Sequence, residues 1–476
     1  MKQMQIRFRL LTIMVIALFG IASIYGVYSV STYGSRWFSS ARNTRYRSAR
    51  QNVIKGDIID RNGILLATTD ENGDRVYQQS LQGRSAIVHL IGDEDGFVSN
   101  GVDSFQAAYL LGFETSLSER VNTLFSQESR RGDNVIITAD STLCSEIVSY
   151  FKRDGRSADK NGAAVVMNYR TGEVLAMVSL PVFDPMDLND QVKEDPRHPF
   201  WNRALQSTLP PGSTFKVITA AAALKNLPNA EEQTFECTGE LQLKENHVLR
   251  DYNKAKHGEE TLRSAFRVSC NNVFAQTALL MGDSALRQMA ESFGFNDNFL
   301  FRDFVVQNSQ YPTKDRDNFE LAWSGVGQSR VVATPMHMCM VAAGIANGGV
   351  MMEPRLLAQV QSPTGVVRLR YSSKVYTKAC EPAMAKTMED YMKEVVAKGT
   401  GTAARVGGLT IAGKTGSAES SLDGKAVTHA WFIGYIADPS LPYACAVLVE
   451  DGGSGGAVAA PIAANIFQYL SARYGR

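Results

Sequence analysis

Ser213 and Lys216 stand three residues apart in LPPGSTFKVITAAAAL, residues 209–224. Pro210, Pro211 and Gly212 close one segment, and a run of alanines and aliphatics opens a helix. Residues at i and i+3 share a helix face, and a helix start offers unsatisfied N–H groups and a positive dipole end. An apolar flank that buries Lys216 disfavours its charged form. A neutral amine beside a hydroxyl can take its proton, which makes Ser213 an activated nucleophile without histidine. Spacing alone is not a site. Ser149 and Lys152, and Ser157 and Lys160, repeat it without that context, and serine at a helix start is also an ordinary N-cap.

Two other stretches can complete a site. Ser269-Cys270-Asn271 lies in TLRSAFRVSCNNVF, at a turn between two helical patterns. Its hydroxyl and amide can relay a proton and hold a carbonyl, although turn chemistry alone would also account for the tripeptide. Lys414-Thr415-Gly416-Ser417 occurs once, in the strand-like IAGKTGSAE. Gly416 lets a substrate backbone approach a strand edge, Thr415 and Ser417 offer hydroxyls, and Lys414 can meet a carboxylate. A glycine bulge in an ordinary strand is the plainer reading of that run.

The elements that must position these groups follow from the apolar patterns. AAVVMNYRTGEVLAMVSL predicts two strands around a glycine-containing loop. GLTIAGKTGSAE, HAWFIGYIA and YACAVLVE predict successive strands, and PIAANIFQYLSARY a final helix. Strands at both ends with helices between imply an α+β unit, one mainly antiparallel sheet covered by helices. That unit begins near Asp133, where NVIITAD precedes the helical spacing of Leu143, Ile147, Val148 and Phe151. At 476 residues the chain exceeds one core. KGDIIDRNGILLATT predicts two short strands around Arg61-Asn62-Gly63, and residues 36–132 form a small, irregular, β-rich module, with amphipathic patches to about 130.

Leu10–Ser35 carries no charge. As a helix it spans roughly 39 Å, enough for a hydrocarbon core of about 30 Å, so residues 10–35 are expected to be a retained membrane anchor rather than a cleaved signal peptide. Lys2, Arg7 and Arg9 precede it and favour a cytoplasmic tail at 1–9. Arg36, Arg42, Arg45, Arg47, Arg50 and Lys55 follow it, and simple counting favours the reverse topology. A net charge of +1 argues against a nucleic-acid partner. Cysteines 144, 237, 270, 339, 380 and 445 show no ligand spacing, so small core residues are expected and no metal or disulfide framework.

The order S-x-x-K, S-x-N, K-T-G resembles that of penicillin-binding proteins and serine β-lactamases. KGDIIDRNGILLA resembles the opening of the pedestal in class B penicillin-binding proteins. GAAVVMNYRTGEVLAMVSLPVFDP, WSGVGQSRVVATPMHMCMVAAGIANGG and KGTGTAARVGGLTIAGKTGSAE resemble that family's transpeptidase domain. Lys55 replaces the family's usual arginine, Gly101-Val102-Asp103 replaces Gly-Leu-Glu, and Ser417 stands where threonine is commoner. The resemblance implies a pedestal at 36–132 and a transpeptidase domain at 133–476. It further implies that Ser213 attacks the D-alanyl-D-alanine bond of a peptidoglycan stem peptide, Lys216 takes its proton, and Ser269 passes it to the leaving amine. Asn271 would orient the substrate amide, Lys414 and Thr415 bind its carboxylate, and Gly416 line the strand edge. The N–H groups of Ser213 and Ser417 would form the oxyanion hole. β-Lactams would acylate the same serine, with no metal or cofactor.

The catalytic domain would then lie outside the cytoplasmic membrane, beside a glycosyltransferase of the SEDS type. A β-lactamase or D-alanyl-D-alanine carboxypeptidase is the alternative, but Ser-Cys-Asn departs from the Ser-x-Val of class D β-lactamases, and the Glu-x-Glu-x-Asn segment of class A is missing. A non-enzymatic sensor or scaffold would have no reason to keep the whole motif set.

Overall fold

The computed structural model describes residues 2–39, 53–78, 80–113, 131–153, 155–244, 247–312, 317–422 and 424–475. The long apolar runs form the central sheet. Its strands lie in the order Ile411–Leu422, Lys425–Ile436, Tyr443–Val449, Gly162–Asn168, Val174–Leu180, and each neighbouring pair is antiparallel. The two hairpins and the three successive strands are where the patterns put them. Tyr443–Val449 and Val174–Leu180 are buried at every position, so helices cover both faces of the sheet. Pro335–Ala346 packs on its inner strands, and Ser141–Arg153 and Ala460–Tyr474 also pack against the sheet. Ile411–Leu422 stays at the edge. The sheet therefore presents one open backbone to whatever lies beside it.

A second sheet crosses the expected boundary near residue 133. Its order is Val367–Arg370, Leu357–Gln361, Asn134–Ile137, Ile58–Ile59, Leu65–Thr69, Arg75–Tyr77. Asn134–Ile137 runs parallel to Ile58–Ile59 and antiparallel to Leu357–Gln361. The turn at Arg61-Asn62-Gly63 forms because Asp60 Oδ1 accepts from the N–H groups of Asn62 (2.8 Å) and Ile64 (2.9 Å), and Gly63 takes a positive φ of 82°.

Two of the departures from the family pattern meet here. Lys55 Nζ lies 2.7 Å from Asp103 Oδ2, both side chains being only 7% exposed, and Arg75 stands 3.5 Å from the other oxygen. A base shorter than arginine here faces an acid shorter than glutamate.

The N-terminal helix runs Lys2–Ser39, and Met4–Ser29 is long and apolar enough to cross a membrane, with mean hydropathy 2.4 and its large apolar side chains exposed. It starts well before the uncharged run, because long basic side chains such as Arg7 and Arg9 can lie along a helix and reach out at its end. Arg42, Arg45, Arg47, Arg50 and the patches after residue 113 lie outside the described residues.

Candidate active site

Ser213 does not cap the helix. It lies inside a 3-10 turn, Gly212–Phe215, that feeds directly into the helix Lys216–Asn226. Phe215 anchors this turn. Its ring is fully buried, edge-on to Phe295 at 5.3 Å and stacked with Tyr311 at 5.9 Å. Gly212 needs its positive φ of 53°, and its N–H donates to Gly327 O at 2.9 Å. A Cβ there would come within 3.0 Å of Ala418 Cβ and 3.3 Å of Ser417 O, so the serine turn is pressed against the edge strand.

Lys216 is fully buried. Its Nζ donates to Ser269 O at 2.6 Å, Asn271 Oδ1 at 2.7 Å and Ser269 Oγ at 3.4 Å. Those three acceptors are its hydrogen-bond partners, and the Ser213 hydroxyl is not among them. Burial pulls this amine down to about 8, partly countered by Asp251. Ser269 holds a left-handed backbone, φ 63°, between the helices Leu262–Val268 and Asn271–Met281, as the turn reading expected. Asp251 explains that geometry: its Oδ1 accepts from the Asn271 N–H and its Oδ2 from the Asn272 N–H.

Lys414 is also fully buried. Its Nζ donates to Ser269 Oγ at 2.8 Å and Thr415 O at 3.1 Å. Burial, and then repulsion from Lys216, hold it well below the usual lysine range. Two amines thus converge on one hydroxyl. Strand alternation separates Lys414 and Gly416 from Thr415 and Ser417, and only the latter two line the cleft. Lys414 is therefore placed behind Ser269 rather than in the open cleft where a carboxylate contact was expected. Gly416 is packed tight, since a Cβ would lie 2.9 Å from Pro211 O and 3.1 Å from Thr214 Cγ2.

The cleft has a volume of about 880 Å³, and Ser213, Ser269, Asn271, Thr415 and Ser417 all line it. It contains residues that motif reasoning missed. Thr400 shares a 2.7 Å hydrogen bond with Thr415 Oγ1. Gln328 faces the edge strand, with its amide donating to Glu419 O (3.1 Å) and accepting from Glu419 N (3.0 Å). Thr400 lies in KGTGT and Gln328 in WSGVGQ, both inside stretches with family resemblance, whereas Asp251 carried no signal at all.

A cleft lined by Ser213, with two buried amines converging on Ser269 beside it at the edge of a helix-covered antiparallel sheet, is the arrangement of an acyl-transfer enzyme. Residues 162–468 match the family described as penicillin binding protein transpeptidase domain. The chain is 30% identical to peptidoglycan D,D-transpeptidase PbpA of Mycolicibacterium smegmatis over 449 residues, covering 88% of this chain and 90% of that one. It is 34% identical to PbpA of Mycobacterium tuberculosis over 368 residues, covering 72% and 73%. Among solved structures, penicillin-binding protein A of M. tuberculosis as a ceftriaxone acyl-enzyme complex superposes with a TM-score of 0.80 at 29% identity, over 88% of this chain and 98% of that one. The D,D-transpeptidase domain of a peptidoglycan glycosyltransferase from Eggerthella lenta gives 0.76 at 29%, over 88% and 99%. The chain belongs to the class B penicillin-binding proteins, the serine D,D-transpeptidases of peptidoglycan synthesis.

Proposed function

We propose that Ser213 forms the acyl-enzyme with the penultimate D-alanine of a stem peptide, with Lys216 one turn on taking its proton. Ser269 passes a proton to the departing D-alanine, and a neighbouring stem's amine then resolves the ester into a cross-link. The observation behind this reading is the hydrogen-bonded line from Lys216 through Ser269 to Lys414 beneath the cleft that Ser213 lines. Asn271, tied to Lys216, orients the substrate amide. Thr415, with Thr400 and Ser417, meets the terminal carboxylate, and Lys414 supplies positive charge from behind once that carboxylate arrives.

The oxyanion hole follows from the edge strand. Because Glu419 turns its N–H and C=O outward to Gln328, alternation turns those of Ser417 and Thr415 outward too. The Ser417 N–H then points to the side on which the Ser213 turn sits, each such donor being worth roughly 3 kcal/mol in the transition state. β-Lactams acylate Ser213 by the same route.

The reading extends to a single-pass anchor in the cytoplasmic membrane with the catalytic domain outside, a pedestal at 36–132, a transpeptidase domain at 133–476, and a SEDS-type glycosyltransferase as partner. Intact-protein mass spectrometry of the full chain in detergent with benzylpenicillin tests the chemistry. A lasting adduct that Ser213→Ala abolishes is expected. An adduct that vanishes within seconds would instead indicate a β-lactamase. For the topology, protease added to spheroplasts should digest the catalytic domain, and full protection would reverse the orientation.

A further inference from the structure

A cavity of about 280 Å³ lies apart from the catalytic cleft and shares no lining residue with it. One wall is Phe97–Asn100 of the N-terminal module, and the other comes from residues 193–206, which lead toward the serine turn. Phe97 and Trp201 both line it while 45% and 46% exposed, so two large rings in it stay open to water. Phe200 stacks on Phe97 at 4.6 Å and meets Phe183 edge-on at 5.0 Å, which braces the Phe97 ring from one side. Trp201 Nε1 donates to Ser207 Oγ at 3.0 Å, which fixes the indole.

Both walls are pinned. Asp93 accepts from the Phe97 and Val98 N–H groups at 3.0 and 2.6 Å, and Asn100 exchanges two hydrogen bonds with Val305, at 2.7 and 3.1 Å. Opposite them, Arg203 donates to Arg197 O at 2.6 Å and His198 O at 3.3 Å, while its Nε meets Glu450 at 3.0 Å. His198 is thereby held at φ 52°, a left-handed conformation that a non-glycine residue enters at a cost. A concave site with fixed walls, aromatic lining and a few placed polar groups is built like a ligand pocket, and its volume sits at the small end of such sites, which run about 300–1,000 Å³.

Its polar groups are mostly unspent donors. Asp195, the one carboxylate in the lining, is engaged by Arg197 Nε and Nη2. Lys193 Nζ lies 5.9 Å from the centre of the Phe97 ring, and Gln206 spends only its oxygen, on the Asn202 N–H at 2.9 Å. Neither nitrogen has an acceptor among the described residues. A pyranose ring answers both features. The C–H groups of its faces carry slight positive charge and are drawn to the negative face of an aromatic ring, and its rim of oxygens accepts from amide and ammonium donors. We infer that this cavity binds an N-acetylated amino sugar of the glycan strand whose stem peptide enters the catalytic cleft. Phe97 and Trp201 pack against the sugar ring, and Lys193 and Gln206 donate to its oxygens. The sugar site stands on the cavity itself, and only its assignment to the wall glycan rests on the transpeptidase reading.

The test is saturation-transfer NMR on the full chain, in a detergent without a sugar headgroup, titrated with the β-1,4-linked trimer of N-acetylglucosamine. The trimer should bind at roughly millimolar concentration. Trp201→Ala should weaken it about tenfold, through the lost ring contact. Lys193→Glu, on an exposed side chain whose exchange does not disturb folding, should weaken it by several-fold. Saturation with benzylpenicillin should leave the affinity unchanged, because the cleft and the cavity share no residue. Ser213→Ala should bind the trimer as the native chain does while losing acylation, so the two readings fail separately. A chain that binds neither the trimer nor peptide-free glycan strands would overturn the site. So would binding that benzylpenicillin displaces, which would put the sugar in the catalytic cleft, or binding that neither Trp201→Ala nor Lys193→Glu weakens. Equal affinity for the β-1,4-linked trimer of glucose would overturn the assignment to an amino sugar.

Discussion

Lys216 and Lys414 compete for protons over the same serine, and that competition sets a pH dependence. Lys216 is held at about 8 against an ordinary 10.5, so the amine becomes a base only as pH rises toward 8. The rate of benzylpenicillin acylation, followed by mass spectrometry, should climb with pH and level off above about 8. Lys216→Arg should lose both the plateau and roughly 10²–10⁴-fold in rate, the usual share of general acid–base catalysis. The same depression acts on stability. Between about 8 and 10.5 the unfolded chain holds a proton that the folded chain has released, so this group's contribution to stability rises with pH across that window. The types and order of Ser213, Lys216, Ser269, Asn271 and Lys414 were legible because each belongs to a short local stretch. Their hydrogen bonds were not: Lys216 reaches Ser269 across 53 residues and Lys414 reaches it across 145. For that reason the position of Lys414 behind Ser269, with Thr415 and Ser417 lining the cleft, was not legible in the motif.

At the level of elements, the edge strand Ile411–Leu422 and the serine turn behave as one piece. Gly212 donates to Gly327 O, and the next residue, Gln328, holds Glu419 by both backbone groups. The side chain thus ends the open edge two residues past Ser417, which limits how far a substrate peptide can pair along it. Gln328→Ala removes two hydrogen bonds, each worth about 1 kcal/mol net. Stopped-flow acylation should slow by about tenfold or more, since about 1.4 kcal/mol corresponds to tenfold. An unchanged rate would show that the turn holds its place without this clamp. The strands themselves could be read from their apolar runs. The clamp could not, because a lone glutamine has no periodicity to betray a contact 91 positions away.

For the molecule as a whole, the buried Lys55–Asp103 pair sits where the N-terminal module joins the mixed sheet. Removing one partner strands the other charge, a cost of about 3–5 kcal/mol. Asp103→Ala should therefore lower the urea midpoint substantially, and acylation should be lost in the same transition, because the mixed sheet ties that module to the catalytic unit. Separate transitions would mean that the two parts unfold independently.

That shared sheet also limits how the protein can be rebuilt. Asn134–Ile137 sits between Ile58–Ile59 and Leu357–Gln361, so one small fabric is woven from three distant stretches of the gene. A chimaera that exchanges only the leading third with a relative would carry Ile58–Ile59 and Asn134–Ile137 together and leave Leu357–Gln361 as a mismatched neighbour on one side of the middle strand. A working exchange has to carry 58–77, 134–137 and 357–370 together. Recombination at the apparent module boundary would cut through a sheet in which distant parts of the chain pair with one another.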